Sequence, residues 1–532
     1  MIPRTLQEKI ASTSNGTELL KREKELVSRL GGSSCRITSN EGFEELDNLR
    51  REMMDNPALA ELQALREGKA EQIQALERLF EDVQIGGDSL CVVDWICVTD
   101  GTEDFLGYPM NLISIFILDH EQNLHVEMII PDLTPHDIEK WVLENPRLDP
   151  YGNEDDSPLR ELDNLVAQLD RVKRGTTLIL SPSGPLHSIP LHALRLPTGE
   201  LLIEQYPVVY VANLSILRHC KVIRANSRLE TPEPNDGRQL TTIGVYEGAV
   251  SADEQCAIQT EHQNYIEMFG GYSAQNAEVN CKVFRDAAEA ATILHFHGHA
   301  DKSETDNILD QALRLSERKT EALQTELLTH GAFSSTTLAI SKLKIPGEIA
   351  EDATPHKITS SAMHQSNMTI EDSWEDGESG LVFERIPEYE YFTVRDVFDL
   401  KLKSRLVVLI ACESGQVDLL PGEEPLGFLS AFLVAGAESV LGTLRRVASA
   451  SGRAFSNEFY AEIYRQCCSP VDGMIDLAKA LQTAVLKMRQ NPETSAPYHW
   501  APFVVHGSWR IRPIEVHQTP QNGKGSTECP GI

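Results

Sequence analysis

Hydrophobic and polar positions divide the chain into a helical start, a long stretch of short apolar runs alternating with helical segments, and one region with neither. Leu46, Leu49, Met53, Leu59, Leu62, Leu65, Ile73, Leu76, Leu79 and Phe80 recur at three- and four-residue spacing. Pro57 and Gly68 divide them into two or three amphipathic helices, preceded by a few helical turns over residues 19–30. No 34-residue period accompanies them, so a helical subdomain is expected rather than a repeat array. Beyond Gly86–Gly87, residues 90–98, 110–119 and 124–130 are rich in β-formers and read as neighbouring strands. Residues 135–143 and 158–171 read as helices, 176–181 and 203–211 as strands, and 214–225 as a helix. A polar loop over 224–238 leads to a strand at 241–246, and a helix at 283–291 leads to another at 292–300. Five apolar residues, Leu406 to Ile410, then enter Ala-Cys-Glu-Ser-Gly after a polar approach, as a strand buried on both faces of a parallel sheet would. The expected class is therefore α/β with a mostly parallel central sheet.

Composition narrows the partners. With 532 residues, 41% of them hydrophobic, the chain is long enough for two or more domains with a substantial core. Its formal net charge of -32 argues against nucleic acid or an anionic membrane as a direct partner, since either would repel so acidic a surface. Ten cysteines are scattered without a CxxC pair, and no signal-peptide pattern or apolar run near the length of a membrane span is visible. A cytoplasmic or nuclear location with reduced thiols is the expectation.

The candidate chemistry lies at two strand ends. Cys412 ends the run RLVVLIACESG (405–415), and the carboxyl end of a strand is where open α/β sheets bind ligands. His299 ends TILHFHGHA (292–300), and a cysteine nucleophile needs such an imidazole within hydrogen-bond reach. These two strands occur with three further motifs in a fixed order: TTLILSPSGPLHSIPLHAL (176–194), GEEPLGFLSAFLVAGAESVLG (422–442) and YHWAPFVVHG (498–507). In this the chain resembles the CHAT-domain peptidases, relatives of caspases and separases, over roughly residues 87–513. The resemblance implies a caspase-like three-layer α/β/α sandwich, with Cys412 as nucleophile, His299 as general base and His295 as a structural histidine. It implies that the backbone N–H groups of Cys412 and Ala300 hold the oxyanion, that His187 and His192 are structural, and that no cofactor or metal is required. Regulated cell death or immunity is the setting it suggests. Ala300 departs from the family's usual glycine, and at a positive φ the alanine would cost about 1 kcal/mol or more.

The domain plan that follows is a helical region at 1–83, the peptidase domain at 84–515 and a disordered tail at 516–532. Within the domain, residues 315–390 include the acidic stretch EDSWEDGESG and read as a flexible insertion, apart from a helix over 317–328. The expected partners are a protein or peptide substrate and a regulatory protein docking on the N-terminal helices or the insertion. Substrate choice points to SVLGTLRRVA (439–448), where many relatives carry an acidic pair. Arg445 and Arg446 stand there instead and favour an acidic residue before the cut bond, Arg445 being expected to point inward. Asp418 and Glu423, on the loop after Cys412, would favour a basic one. Two other classes compete: a silent caspase-like scaffold, and a metal-dependent hydrolase using His295, His297 and His299 with Asp301.

Overall fold

The computed structural model describes residues 9–13, 15–31, 40–60, 89–98, 112–119, 124–127, 130, 132–146, 148, 157–212, 216–217, 239–246, 250–301, 308–317, 389–412, 414–415, 418–419, 425–469 and 472–516. Two compact units are distinguished, one comprising residues 1–314 with 391–532 and the other 315–390. Of the second, only residues 315–317 and 389–390 are described. The helix expected over 317–328, the loop at 224–238 and most of the helix at 214–225 therefore lie outside the described residues, as do residues 517–532.

The larger unit is built on an eleven-stranded sheet, whose strands are numbered here in chain order: β1 Leu90–Val98, β2 Leu112–Asp119, β3 Leu124–Glu127, β4 Thr177–Ser181, β5 Val208–Tyr210, β6 Leu240–Gly244, β7 Gly271–Gln275, β8 Ile293–Gly298, β9 Leu406–Ala411, β10 Ser439–Thr443 and β11 Phe503–Gly507. Their spatial order is β3-β2-β1-β4-β5-β11-β10-β9-β8-β6-β7. The block β10-β9-β8-β6-β7 is parallel throughout, as is β1-β4-β5-β11, and the two blocks meet antiparallel at β10 and β11. β2 and β3 add an antiparallel edge, the neighbouring strands that their composition predicts. The expected strand at 203–211 is shorter than read: Leu202–Gln205 forms a helical turn that buries Leu202 and Ile203, and only β5 is extended.

Helices cover both faces. The described ones used below are α1 Gly16–Gly31, α2 Asn40–Met54, α3 Pro135–Glu144, α4 Ala252–Phe269, α5 Cys281–Ala290, α6 Phe428–Val434, α7 Ser449–Cys468 and α8 Leu477–Gln490. Successive residues of a strand point to opposite faces, and β8 shows where the layers lie. The His295 ring meets Tyr265 of α4 and Tyr460 of α7, whereas the ring of the next residue, Phe296, meets Phe284 of α5. The sheet is thus sandwiched, an α/β fold with a buried, mostly parallel sheet at its centre. α1 and α2 form a separate small cluster around Leu19, Leu26, Leu49, Met53 and Leu59. The third helix expected near 73–80 lies outside the described residues. Residues 158–171 are helical as read but in two tight 3-10 pieces, Pro158–Leu165 and Ala167–Arg171.

Candidate active site

The parallel register of β8 and β9 sets the candidate site. Val408 lies opposite His295, Ile410 opposite His297 and Ala411 opposite Gly298. Cys412 and His299 are the next residues along, so they leave two adjacent central strands at the same level. Both are half-buried, in contrast to the fully buried residues that precede Cys412. Two glycines allow this approach. A Cβ on Gly298 would stand 2.9 Å from the Val245 carbonyl, and one on Gly452 of α7 only 2.3 Å from Ile410 Cγ2. Close packing of the strand ends against β6 and α7 thus depends on absent side chains.

The turn after the cysteine is fastened to the end of β10. Gly415 N–H donates to the Thr443 carbonyl at 2.8 Å, and Thr443 Oγ1–H donates to the Ala411 carbonyl at 2.7 Å. The fully buried Ser414 hydroxyl accepts from Thr443 N–H at 3.1 Å and donates to the Leu409 carbonyl at 3.4 Å. Gly442 leaves room for it, since a Cβ there would lie 3.0 Å from Ser414 Oγ and 2.6 Å from Leu429 Cδ2. Ser414 was legible in the sequence only as part of the motif, and its role as the clasp of the turn emerges from the fold. Cys412 Sγ–H donates weakly to the Val447 carbonyl at 3.5 Å, on the segment leading into α7.

On the histidine side, Ala300–Asp301 forms a short strand paired antiparallel with residues 312 and 313. Arg314 N–H donates to the His299 carbonyl at 2.9 Å, and the Arg314 guanidinium grips Asp301 with Nε and Nη2 at 2.8 and 2.9 Å. Ala300 does not take a positive φ, so the strain that an alanine could have brought in place of glycine does not arise. Burial lowers the pKa of His299, assisted by the Arg314 cation and opposed by Asp301.

The arginine pair behaves differently from its reading in the sequence. Arg445 is buried, 5% exposed, and its guanidinium donates to the carbonyls of Val142, Asn145 and Ser188 while lying over the Trp141 ring. Arg445, expected to point inward toward a substrate carboxylate, has its guanidinium engaged by three carbonyls and an aromatic face from the end of α3 and the turn after β4. Arg446 is exposed. Asp418 belongs to a two-residue strand paired with residues 425–426, and Glu423 lies outside the described residues.

Nor do His295, His297 and His299 form the alternating trio that a metal site on one strand would need. His295 and His297 are instead joined by His262 of α4, which sequence reasoning missed. His262 shares the buried face of α4 with Ile258, Tyr265 and Phe269, a spacing of four, three and four that could have revealed a histidine in an apolar stripe. His192 is buried in the other half of the sheet, with its Nδ1 2.8 Å from Tyr210 Oη, and burial lowers its pKa to about 3. His187 is likewise buried, its pKa lowered to about 4.

A buried, mostly parallel sheet between helical layers, with Cys412 and His299 following adjacent strands at one level, defines an α/β sandwich with a candidate cysteine–histidine site. A family model described as CHAT domain matches residues 156–508, well over half of the sequence, and the chain belongs to the CHAT domain family. No curated protein matches it. Among solved structures it is similar to a chain of the Saccharomyces cerevisiae separase-securin complex, at 12% identity and a TM-score of 0.37, over 93% of this chain and 28% of that one. The chain thus spans little more than a quarter of that relative. It is also similar to the Arg-specific cysteine proteinase gingipain R, at 10% identity and a TM-score of 0.35, over 67% of both chains. A complex of Porphyromonas gingivalis RgpB pro- and mature domains gives 10% identity and a TM-score of 0.35, over 65% of this chain and 68% of that one. Among the described residues, no helix is long and apolar enough to cross a membrane.

Proposed function

We propose that the chain is a cysteine endopeptidase that hydrolyses protein substrates through His299 and Cys412. The observation that carries this reading is the register of β8 and β9, in which Gly298 opposite Ala411 starts the two residues from one level of adjacent strands. In the proposed reaction His299 takes the thiol proton and Cys412 Sγ attacks the scissile carbonyl. The backbone N–H groups of Cys412 and Ala300 hold the oxyanion, and the tetrahedral intermediate collapses to an acyl-enzyme as His299 protonates the leaving amine. Water then releases the acyl group, and the dyad needs no metal or cofactor.

Arg446, exposed on the segment after β10, is the residue left to attract an acidic side chain before the cut bond. Residues 315–390 and the N-terminal helices are the proposed places for a regulatory protein or an activating cut. The cytosol or nucleus is the proposed setting, and regulated cell death or immunity the process that the family resemblance suggests.

The test is labelling by acyloxymethyl-ketone peptides ending in Asp, Arg or Leu, read by intact mass, on the unaltered chain and on its Cys412→Ala and His299→Ala variants. A single adduct on the unaltered chain, lost in both variants, is the expected result. Labelling that survives Cys412→Ala would refute the assignment. A chain that takes no label with calcium, or after nicking within 315–390, would support the scaffold reading.

A further inference from the structure

The three histidines left outside the proposed dyad form a group of their own. His262 of α4 and His295 and His297 of β8 are all buried, and one potential ligand nitrogen from each lies within 4.8 Å of the others. The His262 and His295 rings approach edge to face with centroids 5.1 Å apart. Neither nitrogen of His262 has a hydrogen-bond partner, and Nε2 of His295 has none either. Three imidazole nitrogens buried without a protein partner carry a desolvation cost unless something binds them.

Around this group stand the partners that metal-binding histidines usually have. His295 Nδ1 lies 3.1 Å from Tyr460 Oη, leaving Nε2 as its ligand atom, and His297 Nε2 lies 2.9 Å from Ser449 Oγ. Ser449 also hydrogen-bonds the Glu254 carboxylate. Behind it Arg453 pairs with both Glu254, at 2.8 Å, and Glu261, at 2.7 Å.

The geometry points to a divalent transition-metal site of the zinc class, held by His262, His295 and His297, with water or a small anion completing a tetrahedron. Imidazole without carboxylate or thiolate suits zinc rather than calcium or magnesium. Zinc–nitrogen bonds near 2 Å set tetrahedral ligand atoms about 3.3 Å apart, so the rings have to close by up to about 1.5 Å, within reach of side-chain rotation. An ion there ties α4 to β8 two residues before His299. The site is separate from the proposed thiol chemistry and does not depend on it.

The test loads the chelator-stripped full chain with Zn2+ or Co2+, measuring bound zinc by elemental analysis after gel filtration and the cobalt site by visible absorption. One zinc per chain and an intense tetrahedral Co2+ spectrum are expected, both lost in His262→Gln. Tyr460→Phe, nearly isosteric in its buried place, is expected to bind zinc about tenfold more weakly by freeing the His295 ring. If His262→Gln does not fold, X-ray absorption of the zinc-loaded unaltered chain decides by the number of imidazoles it counts. No uptake by the unaltered chain, a cobalt spectrum unchanged in folded His262→Gln, or a zinc shell with fewer than three imidazoles would overturn the proposal.

Discussion

Replacing Arg445 by methionine separates a structural arginine from a specificity arginine. The side chain reaches across some 300 residues of sequence to Asn145, whose carbonyl accepts at 2.9 Å, and to the Ser188 carbonyl at 3.2 Å. A third contact, to the Val142 carbonyl, is long at 3.4 Å, and the guanidinium carbon lies 5.4 Å from the centre of the Trp141 ring. Hydrogen bonds from a charged group contribute about 1.5–3 kcal/mol each, and a desolvated cation–π contact about 2 kcal/mol. Two good bonds and the ring contact give about 5–8 kcal/mol. From this the desolvation of a buried guanidinium, several kcal/mol that methionine does not incur, must be subtracted. The net expectation is a loss of about 3 kcal/mol for Arg445→Met, read from urea unfolding followed by tryptophan fluorescence. Arg446→Met, at an exposed position, should change stability by less than about 0.5 kcal/mol. Cleavage of a peptide library completes the comparison: Arg446→Met should weaken the preference for acidic residues, and Arg445→Met should leave it as it was. An Arg445→Met chain of unchanged stability that has lost that preference would show the reasoning to be wrong.

The other predictions concern the turn, the helix approach and one buried carboxyl. Ser414→Ala leaves the Thr443 N–H without its buried acceptor, a cost of about 1–3 kcal/mol; urea unfolding should show it, together with slower labelling of Cys412, and equal midpoints would dismiss the clasp. Gly452→Ala puts a Cβ 2.3 Å from Ile410 Cγ2, and overpacking of this kind costs about 1–3 kcal/mol; a thermal midpoint at or above that of the unaltered chain contradicts it. Asp163 accepts from Arg195 N–H at 2.8 Å, yet burial raises its pKa above 3.8. Folding therefore favours its protonated form, and the ionised carboxylate weighs on stability increasingly as pH rises through the window above 3.8. Asp163→Asn keeps an acceptor and removes the charge, so its stability relative to the unaltered chain should improve from acid toward neutral pH. An advantage confined to acid pH would reverse the sign and reject the argument.

Local chemistry was enough to read the central strands and their chemical ends. A run such as Leu406 to Ile410 can be satisfied only by burial on both faces, and the residues after it must then emerge at a strand end. The same holds for the histidine strand, whereas at the edge of the sheet β2 buries only alternate residues, Ile113, Ile115 and Ile117. The break before β5 was less legible, because Leu202 and Ile203 are apolar whether they lie in a strand or in the buried side of a helical turn. The sequence alone determined that the chain is α/β, that Cys412 and His299 end apolar strands, and that the order of motifs matches one family.

Only the tertiary structure decided which side chains meet. Arg445 looked like a pocket residue because its partners, Val142, Asn145 and Ser188, are backbone carbonyls, which leave no trace in residue identity. Ser414 and Thr443 are linked by a hydrogen bond between the turn after β9 and the end of β10, and His262 joins His295 and His297 because α4 lies across β8. Periodicity fixes which face of an element is buried, whereas contacts between distant elements depend on strand order and register. Those follow from the packing of the whole sheet, and no local stretch of sequence encodes them.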